Sequence, residues 1–276
     1  MSHTLRCGRF LLDLSRPLIL GVVNVTPDSF SDGGQFLDSG QAVAHAHRLV
    51  EEGADILDVG GESTRPGAAT VSLEEERRRV LPVLEQLAGG RVPVSLDTRK
   101  PALMREAIAR GASMVNDITA LSSPESLDAV RKSQAAVCLM HMQGEPGTMQ
   151  ANPTYRDVVR EVRDFLAARV AAAEAAGIAR DRIVVDPGFG FGKTAEHNLE
   201  LLRSLAEFGA LRTAVLAGLS RKATLGRIIG RDRPEERVYA SVAAALIAAQ
   251  QGAHILRVHD VAATRDALAV WNAVNK

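Results

Sequence analysis

The stretch Leu18-Ile19-Leu20-Gly21-Val22-Val23-Asn24-Val25 is a short apolar run that ends by delivering a polar side chain able to do chemistry. The same rhythm returns along the chain. Residues 92–96 lead to Asp97, residues 112–115 to Asn116, residues 183–185 to Asp186, and residues 255–258 bring Arg257 and His259. A solvated surface would scatter such residues, whereas eight parallel strands closed into a barrel collect them at their carboxyl ends around one cavity. The rhythm therefore predicts an α/β protein, a (β/α)8 TIM barrel with one loaded rim.

Working outward from residues 18–25, strand and helix signals alternate with few interruptions. Residues 40–52 carry apolar positions at helical spacing before Gly53, and residues 54–59 read as a second strand. Ser72 with Glu75 three residues on reads as a capping box for a helix that runs to Gly89. Residues 92–96 and 101–110 make a third unit, and 113–116 with 125–132 a fourth. Residues 136–140 are a fifth strand, followed by a Gly- and Pro-rich loop and a long Ala-rich helix over 155–176. Strand 183–185 with helix 196–207, strand 214–217 with a bipartite helical stretch over 222–251, and strand 254–258 with helix 261–272 complete eight repeats. Residues 5–14 read as a small hairpin over the amino-terminal mouth. No linker divides the chain, so residues 1–276 read as a single barrel domain.

Composition agrees. The chain has 276 residues, 46% of them hydrophobic, which suits one barrel with a filled core. Its 33 basic and 33 acidic residues cancel, which argues against a broad surface for nucleic acid or anionic membrane, so any anion must be bound locally. Cys7 and Cys138 form neither a disulfide framework nor a metal-ligand spacing and read as small buried residues of a reducing compartment. Residues 18–25 are too short for a signal segment and residues 242–249 too short to span a bilayer, so the expected location is cytoplasmic. His45 and His47, two apart on a helix, do not share a face and are no metal pair.

Two loops stand out on the expected rim. Residues 24–34, Asn24-Val25-Thr26-Pro27-Asp28-Ser29-Phe30-Ser31-Asp32-Gly33-Gly34, are long for a βα connection and crowded with hydroxyls and carboxylates. Residues 60–67, Gly60-Gly61-Glu62-Ser63-Thr64-Arg65-Pro66-Gly67, combine free backbone N–H groups, hydroxyls and a guanidinium suited to phosphate. Arg257 and His259 alternate along the last strand and its end, so both point to one side and can form a paired donor clamp.

These loops resemble the two signatures of the dihydropteroate synthase family. The resemblance continues through Ser95-Leu96-Asp97-Thr98, Val115-Asn116-Asp117, Met140-His141-Met142-Gln143-Gly144, Asp186-Pro187-Gly188-Phe189-Gly190-Phe191-Gly192-Lys193, Ser220-Arg221-Lys222 and Arg257-Val258-His259-Asp260, in family order. It implies an enzyme of folate synthesis that joins 6-hydroxymethyl-7,8-dihydropterin diphosphate to 4-aminobenzoate and releases diphosphate.

By this resemblance Asp97, Asn116, Ile118, Met140, Asp186, Phe191, Gly218 and Lys222 form the pterin pocket. The chemistry fits: the guanidine-like edge of a pterin presents two donors to a carboxylate such as Asp186, and an amide such as Asn116 offers both donor and acceptor. Asn24, Thr64, Arg257 and His259 are implied to hold the diphosphate, with Mg²⁺ on the phosphates and Asn24. Phe30, Thr64, Arg65, Pro66, Phe191, Ser220 and Arg221 are implied to line the aminobenzoate site. Asp97, Lys222, Arg257 and His259 are the implied catalytic residues, on a dissociative path in which Asp97 faces a pterin cation left by departing diphosphate.

Other readings accompany these. Asp97 or Asp186, taken singly, suits a helix N-cap. A lone Lys222 at a helix start is usually solvated, so its role rests on the resemblance. Many family members carry Ser where Ala223 follows Lys222, a difference that bears on a helix cap. A catalytically silent pterin-binding paralogue, a folate-dependent corrinoid methyltransferase barrel and an unrelated phosphate-binding barrel are the alternatives. The two long loops are expected to order once diphosphate binds, so that pterin binds first, and sulfonamides are expected to compete with 4-aminobenzoate. The Ala-rich stretch over 238–251 suits either a neighbouring subunit or the barrel; the resemblance implies a homodimer.

Overall fold

The computed structural model describes residues 4–26, 35–63 and 70–275. The chain opens with an antiparallel hairpin, β1 (Thr4–Cys7) and β2 (Phe10–Asp13). Eight parallel strands follow: β3 (Leu18–Asn24), β4 (Ile56–Gly60), β5 (Val94–Asp97), β6 (Met114–Asp117), β7 (Ala136–Met140), β8 (Ile183–Asp186), β9 (Ala214–Ala217) and β10 (Ile255–Val258). They pair in sequence order and close with β10 against β3, the expected barrel. The outer layer is α1 (Gln35–Glu52), α2 (Leu73–Leu87), α3 (Pro101–Ala109), α4 (Pro124–Arg131), α5 (Val158–Ala175), α6 (Ala195–Arg203), α7 (Ala223–Ile229), α8 (Val238–Gln250) and α9 (Val261–Val274).

Alternation along each strand divides the core in two. Leu57, Val59, Leu96, Val115, Leu139 and Val185 point outward and pack under the helices. Leu20, Ile56, Met114, Ala136, Val184, Leu216 and Ile255 point inward and fill the lower barrel, joined there by Leu5 and Cys7 of the hairpin. The hairpin thus covers the amino-terminal mouth, with the Cys7 thiol donating to the Ser113 carbonyl at 3.2 Å. Fully burying a side chain such as Leu5 is worth about 1.5–3 kcal/mol, enough to seat a four-residue strand that pairs with nothing but its hairpin mate. Burial also pushes the Cys7 thiol up to about 12 and raises Cys138, so both are packing residues rather than nucleophiles.

Several boundaries differ from the sequence reading, each for a local reason. Ser72 caps α2 by accepting the Glu75 N–H at 3.2 Å, but the Glu75 carboxylate pairs with Arg78 and Arg79. Two guanidiniums outbid one backbone N–H, so the expected capping box is only half made. The helix expected over 155–176 begins at Val158 because the Asp157 carboxylate accepts the Arg160 N–H at 2.9 Å. The helix expected over 196–207 stops at Arg203 and continues as a 3₁₀ segment, Leu205–Leu211, where Leu205 and Phe208, three apart, both bury. The bipartite stretch over 222–251 is divided at Gly230, left-handed at φ +65°, and by a 3₁₀ turn at Pro234–Arg237.

Candidate active site

Strand register brings the polar strand ends to one level. Asn24 lies opposite Gly60, Gly60 opposite Asp97, and Asp97 opposite Asn116, across four adjacent strands. Asp186 ends β8 opposite Met140, and alternation turns these side chains, with Asp58 one layer below and Arg257 from β10, into the carboxyl-terminal mouth.

The centre of the mouth is an Arg257 guanidinium held by two carboxylates. Its Nε donates to Asp58 at 2.7 Å and its terminal nitrogen to Asp97 at 2.9 Å. Asp58 is fully buried and Asp97 partly so. Burial opposes the Arg257 charge, but Asp58 and Asp97 more than offset it, and the guanidinium's proton affinity rises. Burial and the neighbouring Asp58 push Asp97 up to about 7 against the pull of Arg257. Neither Asp97 nor Asp186 is a helix cap: α3 starts after Lys100 with no side-chain cap, and α6 is capped by Thr194.

Asn116 is half committed. Its Nδ2 donates to Asp58 at 3.2 Å, while its Oδ1, like Asp58 Oδ1 and Ser95 Oγ, is buried without a hydrogen-bond partner. The amide oxygen is thus free to accept, and one of the two N–H groups on Nδ2 is taken by Asp58. An unpartnered buried acceptor costs about 1–3 kcal/mol, a cost that a ligand N–H would relieve.

The opposite wall is the loop after β8. Asp186 is buried, its Oδ1 accepts the Gly188 N–H at 2.7 Å, and burial raises its proton affinity against the attraction of Lys222. The Lys222 ammonium donates to the Phe189 carbonyl and lies 4.8 Å from the centre of the Phe191 ring. It is half-buried rather than out in solvent, and burial lowers it to about 8. Gly218 faces the same space, since a Cβ there would lie 3.7 Å from Arg257 and 4.0 Å from the Lys222 Nζ. Met140 and Ile118 are buried apolar neighbours at the ends of β7 and β6.

Arg257 and His259 rise from the same end of β10, each with its own intramolecular partners. The Ser220 hydroxyl accepts the His259 backbone N–H at 3.1 Å and sits 3.0 Å from His259 Nδ1. Arg221, expected at the aminobenzoate site, pairs with Asp260 at 2.5 and 3.0 Å and holds a left-handed backbone at φ +59°. The bidentate pairing fixes the guanidinium beside Ser220. Phe30, Thr64, Arg65 and Pro66, with the expected ordering of their loops, lie outside the described residues. Lys222 is the N-cap of α7 and makes no side-chain cap, with Ala223 as the first helical residue.

Asp58 escaped the sequence reading, although a carboxylate inside the apolar run Ile56-Leu57-Asp58-Val59, in phase with Gly60, is a legible signal. Lys193 and His141 escaped too, because only the tertiary structure shows that they bury against each other. Among the described residues no three His, Cys, Asp or Glu side chains gather to hold a metal. With Asp58 and Asp97 already engaged by Arg257, Asn24 offers a single carboxamide oxygen. That donor set suits a Mg²⁺ held mainly by phosphate and water.

Residues 20–259 match the pterin binding enzyme family. A dihydropteroate synthase of Neisseria meningitidis serogroup B is 52% identical over 278 residues, spanning 99% of this chain and 98% of its own length. Among solved structures, a Xanthomonas albilineans dihydropteroate synthase with 4-aminobenzoic acid superposes with a TM-score of 0.94 at 56% identity, over 100% of this chain and 99% of that one. A Yersinia pestis dihydropteroate synthase in complex with a sulfonamide drug gives 0.93 at 46% identity, over 99% of each. A barrel whose mouth carries these buried acids, amide and cations, matched over its whole length at this identity, belongs to the dihydropteroate synthase family of pterin-binding enzymes.

Proposed function

We propose that the protein joins 6-hydroxymethyl-7,8-dihydropterin diphosphate to 4-aminobenzoate to form 7,8-dihydropteroate and diphosphate. The observation that carries the reading is the pairing, in one mouth, of a recognition wall with an ionic centre. The wall is buried Asp186, Lys222 and the unpartnered Asn116 Oδ1; the centre is Arg257 between Asp58 and Asp97.

Asp186 accepts the two donors on the guanidine-like edge of the pterin, and Asn116 Oδ1 takes a neighbouring N–H. Lys222 exchanges the Phe189 carbonyl for the ring carbonyl and N5, with Phe191, Met140 and Ile118 as apolar walls and Gly218 leaving room. Asn24, Arg257 and His259, with Thr64, hold the diphosphate; its arrival gives Arg257 an anion that competes with Asp97 for the same N–H group. Asn24 is the residue that would hold Mg²⁺ beside the phosphates, where the ion would neutralise charge on the leaving group. The carbon–oxygen bond breaks with its electron pair departing on diphosphate. Asp97, ionised and released from Arg257, faces the resulting cation. The amine lone pair then forms the carbon–nitrogen bond, and its proton is lost to water. The carboxylate of 4-aminobenzoate lies toward Ser220 and Arg221, between Phe30, Arg65, Pro66 and Phe191.

Sulfonamides share the shape of 4-aminobenzoate and compete for that slot. A homodimer is supported by the neighbouring helices α7, α8 and α9: Ile228, Tyr239, Ile247, Val270 and Val274 stay exposed while Ala244, Ala245, Ala248 and Ala249 pack inward. Among the described residues no helix is long and apolar enough to cross a membrane, which is consistent with a cytoplasmic enzyme. The test is direct. The protein is incubated with the pterin diphosphate, Mg²⁺ and 4-aminobenzoate, and dihydropteroate and diphosphate are measured with and without a sulfonamide. Failure to form product supports a silent paralogue, and unchanged turnover with excess sulfonamide at limiting 4-aminobenzoate removes the competition.

A further inference from the structure

Over residues 188–192 of the loop between β8 and α6, side chains reach all five backbone carbonyls, beside one backbone bond from the Phe191 N–H to the Gly188 carbonyl at 3.1 Å. The Phe189 carbonyl accepts from Lys222, the Gly190 carbonyl from Gln150, and the Gly192 carbonyl from the Tyr155 hydroxyl at 2.8 Å. The remaining two, Gly188 and Phe191, both accept from Lys193 Nζ, each at 2.9 Å. One buried ammonium therefore ties both ends of the segment that carries Phe189 and Phe191 to Lys222.

The same ammonium lies 2.9 Å from His141 Nδ1, on the loop after β7, and 3.4 Å from the His141 carbonyl. Lys193 is 2% exposed and His141 7%. The His141 ring is set edge-on to Phe165 at 4.9 Å between centres, so its orientation is fixed. The two loops also touch backbone to backbone: Gly188 has φ +71° and a Cβ there would overlap the His141 carbonyl oxygen, and Gly192, at φ +62°, meets the Gln143 carbonyl in the same way. A buried charge is a costly way to fill space; an apolar side chain would pack there without desolvation. What it supplies instead is direction, N–H groups aimed at the Gly188 and Phe191 carbonyls and at His141 Nδ1, each at 2.9 Å, with the His141 carbonyl at 3.4 Å.

We propose that Lys193 and His141 form a positioning pair for pterin recognition. The pair locks the 186–192 loop onto the end of β7, so that Asp186 and the Phe189 carbonyl, Phe191 ring and Lys222 stand at fixed places before the pterin arrives. Neither residue touches substrate. His141 takes part as an acceptor, with Nδ1 unprotonated and the proton on Nε2.

This inference rests on the pterin reading above, and its test separates the two. Michaelis constants for the pterin diphosphate and for 4-aminobenzoate are measured for the wild type, Lys193→Met, His141→Leu and His141→Gln, together with the pterin-diphosphate Kd in the absence of 4-aminobenzoate. Losing a charge-assisted bond that orients the loop raises the pterin KM and Kd about tenfold in Lys193→Met and His141→Leu, with the 4-aminobenzoate KM rising at most about threefold. His141→Gln, whose amide oxygen still accepts, stays within about threefold of wild type in both. Equal increases in the two KM values mark general loosening and overturn the proposal, as does a pterin KM unchanged in Lys193→Met. If Lys193→Met does not fold, His141→Leu against His141→Gln decides alone. A wild type that binds pterin diphosphate but makes no product sinks the enzymatic reading and leaves the pair to be judged on Kd, where unchanged values overturn it. A wild type that does not bind pterin overturns both.

Discussion

Asp58→Asn removes one of the two carboxylates that share the Arg257 guanidinium and leaves its shape almost unchanged. Arg257 reaches Asp58 at 2.7 Å and Asp97 at 2.9 Å, so the acids face each other across a single planar group. With their charges roughly 6–7 Å apart and an effective dielectric of about 20, their repulsion is about 2.5 kcal/mol. At about 1.4 kcal/mol per unit, that corresponds to somewhat under 2 pH units in the titration of Asp97. Asp97 titrates at about 7 because burial, and then Asp58, raise it against Arg257. Without Asp58 the guanidinium also leans wholly on Asp97, which acts in the same direction. If ionised Asp97 faces the pterin cation, kcat/KM for the pterin diphosphate falls as pH drops through about 7 in the wild type. In Asp58→Asn that acid limb moves down by about 1–2 pH units. The assay is dihydropteroate formation at saturating 4-aminobenzoate across pH. Phosphate groups of the substrate titrate identically in both proteins, so the difference between profiles isolates the enzyme's own group. An acid limb that stays in place, or moves upward, would refute the electrostatic account of the centre.

Further expectations concern single side chains. Asp97→Asn lowers kcat about a hundredfold with little change in pterin binding, whereas Asp186→Asn mainly weakens pterin binding, about tenfold, because it removes a recognition contact. Equal losses of binding in both would dissolve that division of roles. Gly188→Ala forces a side chain onto a backbone at φ +71° and into the His141 carbonyl, and costs about 2–4 kcal/mol in urea unfolding. A variant as stable as wild type would show that the two loops are not held together. Tyr239→Lys with Val270→Lys places charge on the exposed apolar face of α8 and α9, and sedimentation should then report monomer. A sedimentation rate unchanged from that of a wild-type dimer would locate the interface elsewhere.

Much of this protein is local. Residues 18–23, 136–140 and 214–217 declare themselves as strands by short apolar runs, and β7 and β9 fall on the expected residues. The alternation of side chains then decides that Asp97, Asn116, Asp186 and Arg257 face one cavity, since neighbours along a strand point opposite ways and every strand of a parallel barrel ends at the same mouth. Helix ends were less legible. Whether Glu75 completes a cap depends on Arg78 and Arg79 competing for it, and the 3₁₀ segment after α6 depends on where Leu205 and Phe208 find apolar cover.

The partners of the polar residues were decided by tertiary structure alone. Asp58 and Arg257 are 199 positions apart, Lys193 and His141 52, and no periodicity links either pair. The reason is physical. Strand and helix character follows from steric preference and the spacing of apolar side chains, which neighbours in sequence suffice to express. The charge state of Asp97, the half-spent amide of Asn116 and the neutral, accepting ring of His141 depend instead on burial and on which opposite charge lies within about 3 Å, and only closure of the barrel supplies these.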